Sequence, residues 1–149
     1  MKKIKSIILI SGNGSNLSNI VKNVNSGYID MEISMVISNN PDAKGLIIAS
    51  EHKLPTLVLD TNQGFDNELS EIIEMNSIGL VVLAGFMKII PKTITDKYDG
   101  MILNLHPSLL PKHKGLDTHQ KVIQAKDKFH GASVHYVTSK LDNGPVIIQ

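Results

Sequence analysis

The stretch Ile4-Lys5-Ser6-Ile7-Ile8-Leu9-Ile10, running into Ser11-Gly12-Asn13-Gly14-Ser15-Asn16, decides the fold. Its first seven residues are β-rich and end in four consecutive aliphatics, which read as a buried first strand. The glycines then turn the chain. Leu17, Ile20, Val21 and Val24 recur at helical spacing, and Gly27 closes that helix. Strand, tight loop and helix in this order open a βαβ unit.

Outward from there the pattern repeats. Met31 to Ser38 is a second strand, and Asn39-Asn40-Pro41-Asp42 signals a turn and a helix start. A helix from about Ala43 to Lys53 follows, then a short strand from Pro55 to Leu59. Asp60 to Asp66 is polar and reads as a loop. Leu69, Ile72, Ile73 and Met75 suit a helix. Leu80-Val81-Val82-Leu83-Ala84 is the kind of apolar run buried on both faces of a parallel sheet. Pro91 to Tyr98 suits a short helix, Met101 to Leu105 a strand and Thr118 to Ala125 a helix. Ala132 to Val137 and Pro145 to Gln149 are two more strands. The alternation predicts a single α/β domain over residues 1–149, with a mostly parallel sheet and right-handed crossovers. The last strand ends in a bare apolar run, Val146-Ile147-Ile148, which a finished domain would cover. The expectation is a chain that stops short.

Composition narrows the function. At 149 residues, with 42% hydrophobic and 19% charged, the chain can bury an ordinary core and is not disordered. A net charge of +1 gives no field that would draw a nucleic acid or a membrane surface, so a bound anion needs a local site. The absence of cysteine excludes disulfides, thiolate metal sites and a cysteine nucleophile, and fits a reducing cytoplasmic setting. The basic start Met1-Lys2-Lys3 precedes too short an apolar stretch for a signal sequence or a membrane span.

The loop Ser11–Asn16 is the first candidate site. Glycines let the backbone approach a ligand, and free N–H groups at a helix start attract an anion. Ser15 and Asn16 are candidates to cap the helix or to donate to phosphate oxygens. The loop is neither a dinucleotide fingerprint nor a P-loop. A glycine turn with a helix cap and no ligand fits the same residues.

The second candidate is Asn104-Leu105-His106-Pro107 with Asp142. Asn104 and His106, two residues apart at a strand end, leave the same face, while Leu105 points the other way into the core. An amide and an imidazole on one face can both donate to a developing oxyanion. A carboxylate beside the imidazole would orient it and favour its charged form. Such a group suits acyl transfer without a covalent enzyme intermediate. Yet a lone histidine can be a satisfied polar residue, and Asp142-Asn143-Gly144 is also a good turn. The spacing of His106, His113, His119, His130 and His135 matches no zinc motif, so no metal is expected. Ser108 lacks the context of a nucleophile.

At these residues the chain resembles the phosphoribosylglycinamide formyltransferases, a branch of the folate-dependent formyltransferases. Four segments carry the resemblance: Ile10 to Leu17, Val82 to Ile89, Asn104 to His119, and Gly131 to Val137 with Leu141 to Val146. It implies an open, mostly parallel, Rossmann-like sheet with helices on both faces. An acceptor-binding half at 1–100 would precede a catalytic and folate-binding half at 101–149. It implies 10-formyl-tetrahydrofolate as donor and the primary amine of glycinamide ribonucleotide as acceptor, in purine synthesis. Gly12, Asn13, Gly14 and Ser15 would hold the acceptor phosphate. Phe86, Met87, Ile89, Ile90, Val137 and Leu141 would line the folate pocket. Asn104, His106 and Asp142 would be catalytic. The partners implied are these two small molecules, with no nucleic acid and no membrane, in a cytoplasmic monomer or homodimer.

The chain departs from the pattern at Ser139, where the family has an acidic residue. The loop Asp60–Asp66 is short and lacks an arginine. Family members also continue past Gln149 with a strand and a long helix that bind the acceptor ribose. Three other readings compete: a formyl-folate hydrolase, a formyltransferase for a sugar amine or methionyl-tRNA, and a folate- or nucleotide-binding chain without turnover.

Overall fold

In the computed structural model, residues 3–149 are described; Met1 and Lys2, part of the basic start, lie outside them. Among the described residues there are seven strands and five helices. The chain divides into two compact units, one ending at Lys88 and the other spanning Ile89–Gln149.

The first unit contains β1 (Ile4–Ile10), α1 (Ser15–Asn25), β2 (Met31–Ser38), α2 (Lys44–Glu51), β3 (Thr56–Val58), α3 (Phe65–Met75) and β4 (Leu80–Leu83). Its strands run β3-β2-β1-β4, all parallel. The chain therefore steps outward from β1 twice, then crosses back from β3 to β4. Right-handed crossovers put α1 and α2 on one face and α3 on the other. That order also explains the burial of β1, whose residues 6–10 are all inaccessible to solvent. Each aliphatic side chain so buried contributes about 1.5–3 kcal/mol. Ile8, Ile10, Leu17, Val21, Val36 and Ala49 form the core beneath α1 and α2. The pairing slips by one residue at Ser34, where β2 bulges against β1.

The second unit holds α4 (Lys92–Lys97), β5 (Ile102–His106), α5 (Thr118–Ala125), β6 (Ser133–Tyr136) and β7 (Val146–Ile148). Here β5–β6 and β6–β7 are antiparallel. The seven strands are thus mostly parallel, as the alternation predicts, with the antiparallel exception confined to this unit. β7 is exposed along Val146, Ile147 and Ile148.

Two local expectations change. Helix α3 starts at Phe65, inside the segment read as loop, because Gly64 takes a left-handed φ of 69° and begins the helix there. Ser15 and Asn16 do not cap α1: the N-cap is Gly14, without a side-chain cap, and both residues belong to the first turn. No helix among the described residues is long and apolar enough to cross a membrane.

Candidate active site

In the first unit, Ser11 ties the ends of three strands together. Its N–H donates to the Gly85 carbonyl at 3.2 Å, and its hydroxyl donates to Asn39 Oδ1 at 2.5 Å. The same hydroxyl accepts from the Met87 N–H at 2.8 Å. The loop Gly12–Ser15 is therefore held at the carboxyl ends of the strands, where open α/β sheets bind ligands. Among the described residues, the N–H groups of Asn13, Gly14, Ser15 and Asn16 meet no acceptor. They are the free donors of the first turn of α1, and with the helix dipole they suit an anion.

Gly14 has a second role. A Cβ at this position would lie 2.5 Å from the Gly45 Cα, and the backbone has a φ of 76°. Gly14→Ala should therefore lower stability by roughly 2–4 kcal/mol, combining overpacking with left-handed strain. Denaturant unfolding checks this; an unchanged midpoint would contradict the packing described.

A shallow depression lined by Lys3, Val21, Met31, His52 and Leu54 lies at the opposite, amino-terminal ends of β1 and β2. None of the predicted site residues lines it.

In the second unit, the antiparallel pairing of β5 with β6 sets Asn104 opposite His135 and His106 opposite Ser133. Directly opposed residues share a face, so these four side chains gather on one side. Leu105 is half-buried, less enclosed than a core position. Between β6 and β7 the chain makes a turn that delivers Asp142 to the same face. The turn is pinned by the Tyr136 N–H, which donates to the Pro145 carbonyl at 3.0 Å. Gly144 passes so close to Tyr136 that a Cβ would lie 1.8 Å from its carbonyl oxygen. Asp142 itself has a φ of 45°, a conformation aspartate tolerates better than most residues.

Asp142 is the hub. Its Oδ1 accepts from Asn104 Nδ2 at 3.4 Å and faces His135 Nε2 at 3.6 Å. Its Oδ2 accepts from the Gly115 N–H at 2.8 Å and faces His106 Nδ1 at 3.4 Å. His106 is only 4% exposed and His135 only 2%. The three residues expected to act together, Asn104, His106 and Asp142, are thus brought together.

His135 is a fourth member that the sequence reading did not single out as catalytic. Asn104 Nδ2 lies 3.2 Å from its Nε2, and its Nδ1 faces the Tyr136 carbonyl at 2.9 Å. A carbonyl only accepts, so Nδ1 carries a proton. The signal was present: Ser133 and His135 alternate with Val134 on a strand, a polar face where a buried strand needs none.

Burial opposes the charge on Asp142. The His135 hydrogen bond, the Gly115 N–H and the charges of His106 and His135 outweigh it and hold the carboxyl below its ordinary value. The same Asp142 hydrogen bond raises His135, against its burial, with help from the Tyr136 carbonyl and the Asp142 charge. A raised histidine contributes stability that is complete below its ordinary value of 6.5 and lost as pH climbs through the folded value. The stability advantage of wild type over His135→Gln should therefore be larger at about pH 6 than at about pH 9. Equal advantages in unfolding titrations at both pH values would contradict the pairing.

The expected folate-lining residues divide. Phe86 is buried and stacks on Phe65 with ring centroids 6.0 Å apart, and Ile90 is buried as well. Met87, Ile89 and Leu141 are largely exposed, and Val137 is half-buried. Phe86 and Met87 belong to the first unit, the other four to the second. No group of three or more metal-ligating side chains occurs among the described residues.

A sequence-family profile described as formyl transferase matches residues 4–149. The phosphoribosylglycinamide formyltransferase of Haemophilus influenzae is 42% identical, the alignment covering 100% of this chain and 72% of that protein. The phosphoribosylglycinamide formyltransferase of Escherichia coli is 44% identical over 96% of this chain and 70% of that protein. The crystal structure of glycinamide ribonucleotide transformylase 1 from Symbiobacterium toebii superposes with a TM-score of 0.93 at 35% identity, over 99% of this chain and 72% of that one.

Proposed function

The chain belongs to the formyl transferase family, and from that premise we propose that it transfers the formyl group of 10-formyl-tetrahydrofolate to the primary amine of glycinamide ribonucleotide. Formyl transfer in purine synthesis follows from the family. The observation that carries the proposal is the convergence of Asn104, His106 and His135 on the single carboxylate of Asp142.

The loop Gly12–Ser15 holds the acceptor phosphate through the N–H groups that meet no acceptor among the described residues. The neutral amine attacks the formyl carbon, and its lone pair becomes the new C–N bond. The carbonyl pair moves onto oxygen. Asn104, whose Nδ2 stands against Asp142 Oδ1 and His135 Nε2, turns an amide hydrogen to that oxyanion as the first donor. His106, in its protonated form, is the second donor. Asp142 holds a negative charge beside it and accepts the proton lost by the amine, passing it through water to the departing folate nitrogen. Of the residues assigned to the folate, Met87, Ile89 and Leu141 are exposed and offer apolar surface, Val137 is half-buried, and Phe86 and Ile90 are buried.

Acceptor dependence tests the proposal. Loss of the formyl donor, followed by absorbance, should require glycinamide ribonucleotide. Equal loss without it would establish a hydrolase instead, and no loss from a folded chain would leave a binding protein.

A further inference from the structure

His106 Nε2 does not face the Asp142 carboxylate. It lies 2.9 Å from the backbone carbonyl of His113. A carbonyl can only accept, so Nε2 carries a hydrogen and is committed to this bond. Nδ1, at 3.4 Å from Asp142 Oδ2, is then the nitrogen left for chemistry. The orientation of the imidazole thus depends on where one loop carbonyl sits.

That carbonyl is not held by regular structure. His113 lies in the loop between β5 and α5, with a left-handed φ of 55°. Its own side chain is anchored instead: His113 Nε2 lies 2.8 Å from Asp127 Oδ2. Asp127 follows the end of α5, and its other oxygen accepts from Lys112 Nζ at 3.0 Å. The His113 hydrogen bond, with Lys112, holds the Asp127 carboxyl below its ordinary value, so it stays a charged acceptor. Neither Asp127 nor the His113 ring belongs to the Asp142 cluster.

We propose that Asp127 and His113 form a positioning pair: by fixing the His113 carbonyl against Nε2 of His106, they keep Nδ1 as the working nitrogen beside Asp142. The inference rests on the reading that His106 serves formyl transfer. Its structural half stands independently of that reading.

The experiment uses the whole chain with Asp127→Ala, Asp127→Asn, His113→Phe and, as control, Lys112→Ala. Nitrogen-15 spectra of the imidazoles report which His106 nitrogen carries the proton, with the His106 signal assigned by its absence in His106→Gln. Wild type should show a protonated, exchange-protected Nε2. Asp127→Ala and His113→Phe should each lose that protection. Each should also lower kcat by about tenfold with KM for glycinamide ribonucleotide within about twofold, the signature of misplacement and not of lost binding. Asp127→Asn, whose amide oxygen still accepts from His113, should recover most of the rate. Lys112→Ala leaves the His113 tie to Asp127 in place and should shift both readouts much less than Asp127→Ala does. If Asp127→Ala fails to fold, His113→Phe removes the same tie from its other end and decides alone. An unchanged His106 spectrum or an unchanged kcat in the folded variants overturns the proposal. Absence of formyl transfer by wild type would instead sink the functional reading, and the spectra would still decide the positioning.

Discussion

Replacing His106 with alanine lowers the turnover of formyl transfer by about 10²–10³-fold, the usual cost of losing one donor to a developing oxyanion. KM for the acceptor should change little, since the proposal assigns the acceptor phosphate to Gly12–Ser15 and not to His106. The fold survives. The substitution opens a small buried gap and leaves the His113 carbonyl without its donor, a cost of about 1–3 kcal/mol. Steady-state kinetics beside an unfolding curve separate the two effects. A folded variant within about threefold of wild type would remove His106 from the mechanism.

Asp142→Asn has an effect of similar size for a different reason. The substitution keeps the volume, and one orientation of the amide satisfies Gly115 and His135. Its oxygen can accept from the Gly115 N–H, and its nitrogen can donate to Nε2 of His135, whose Nδ1 already carries a proton; only the long contact from Asn104 Nδ2 to Oδ1 is lost. The chain should therefore fold. What disappears is the negative charge facing His106 Nδ1 at 3.4 Å and the only carboxylate in the cluster able to take the amine's proton. Turnover should fall by about 10²–10³-fold with the fold retained. Asp142→Ala, by contrast, leaves the Gly115 N–H without an acceptor and takes one of the two partners from Asn104 Nδ2, and should also destabilise the chain. A fully active Asp142→Asn would show that the carboxylate only shapes the turn.

Much of this was legible in the chain. Ile7 to Ile10 are buried throughout because a parallel sheet needs apolar residues on both faces, and local pattern reports that directly; in β4 only Val81 and Leu83 are buried, with Leu80 and Val82 half-buried. The order Asn104, Leu105, His106 placed two polar groups on one face by strand geometry alone. The limits are equally physical. Whether β5, β6 and β7 run parallel or antiparallel depends on partners distant in sequence, and that direction sets Asn104 against His135. Residue 106 falls within β5 because Ser133 pairs with it, not because of any local propensity. The same holds for backbone groups. The Gly115 N–H and the His113 carbonyl anchor Asp142 and His106, yet neither is a side-chain motif. Ser15 and Asn16 have the right chemistry to cap a helix, but Gly14, with a left-handed φ of 76°, is the N-cap and both fall in the first turn. Phe86 is expected from the resemblance to line a folate pocket, whereas its ring stacks on Phe65, a contact that no local pattern reports.

The most direct test is to follow the formyl carbon itself. Donor labelled with carbon-13 in the formyl group is mixed with the purified chain and glycinamide ribonucleotide, and the product is read by nuclear magnetic resonance. The account predicts a formamide carbon bonded to the acceptor nitrogen, formed with wild type and suppressed about 10²–10³-fold in His106→Ala. Free formate appearing in place of the formamide, or a formamide formed equally fast by the variant, would contradict it.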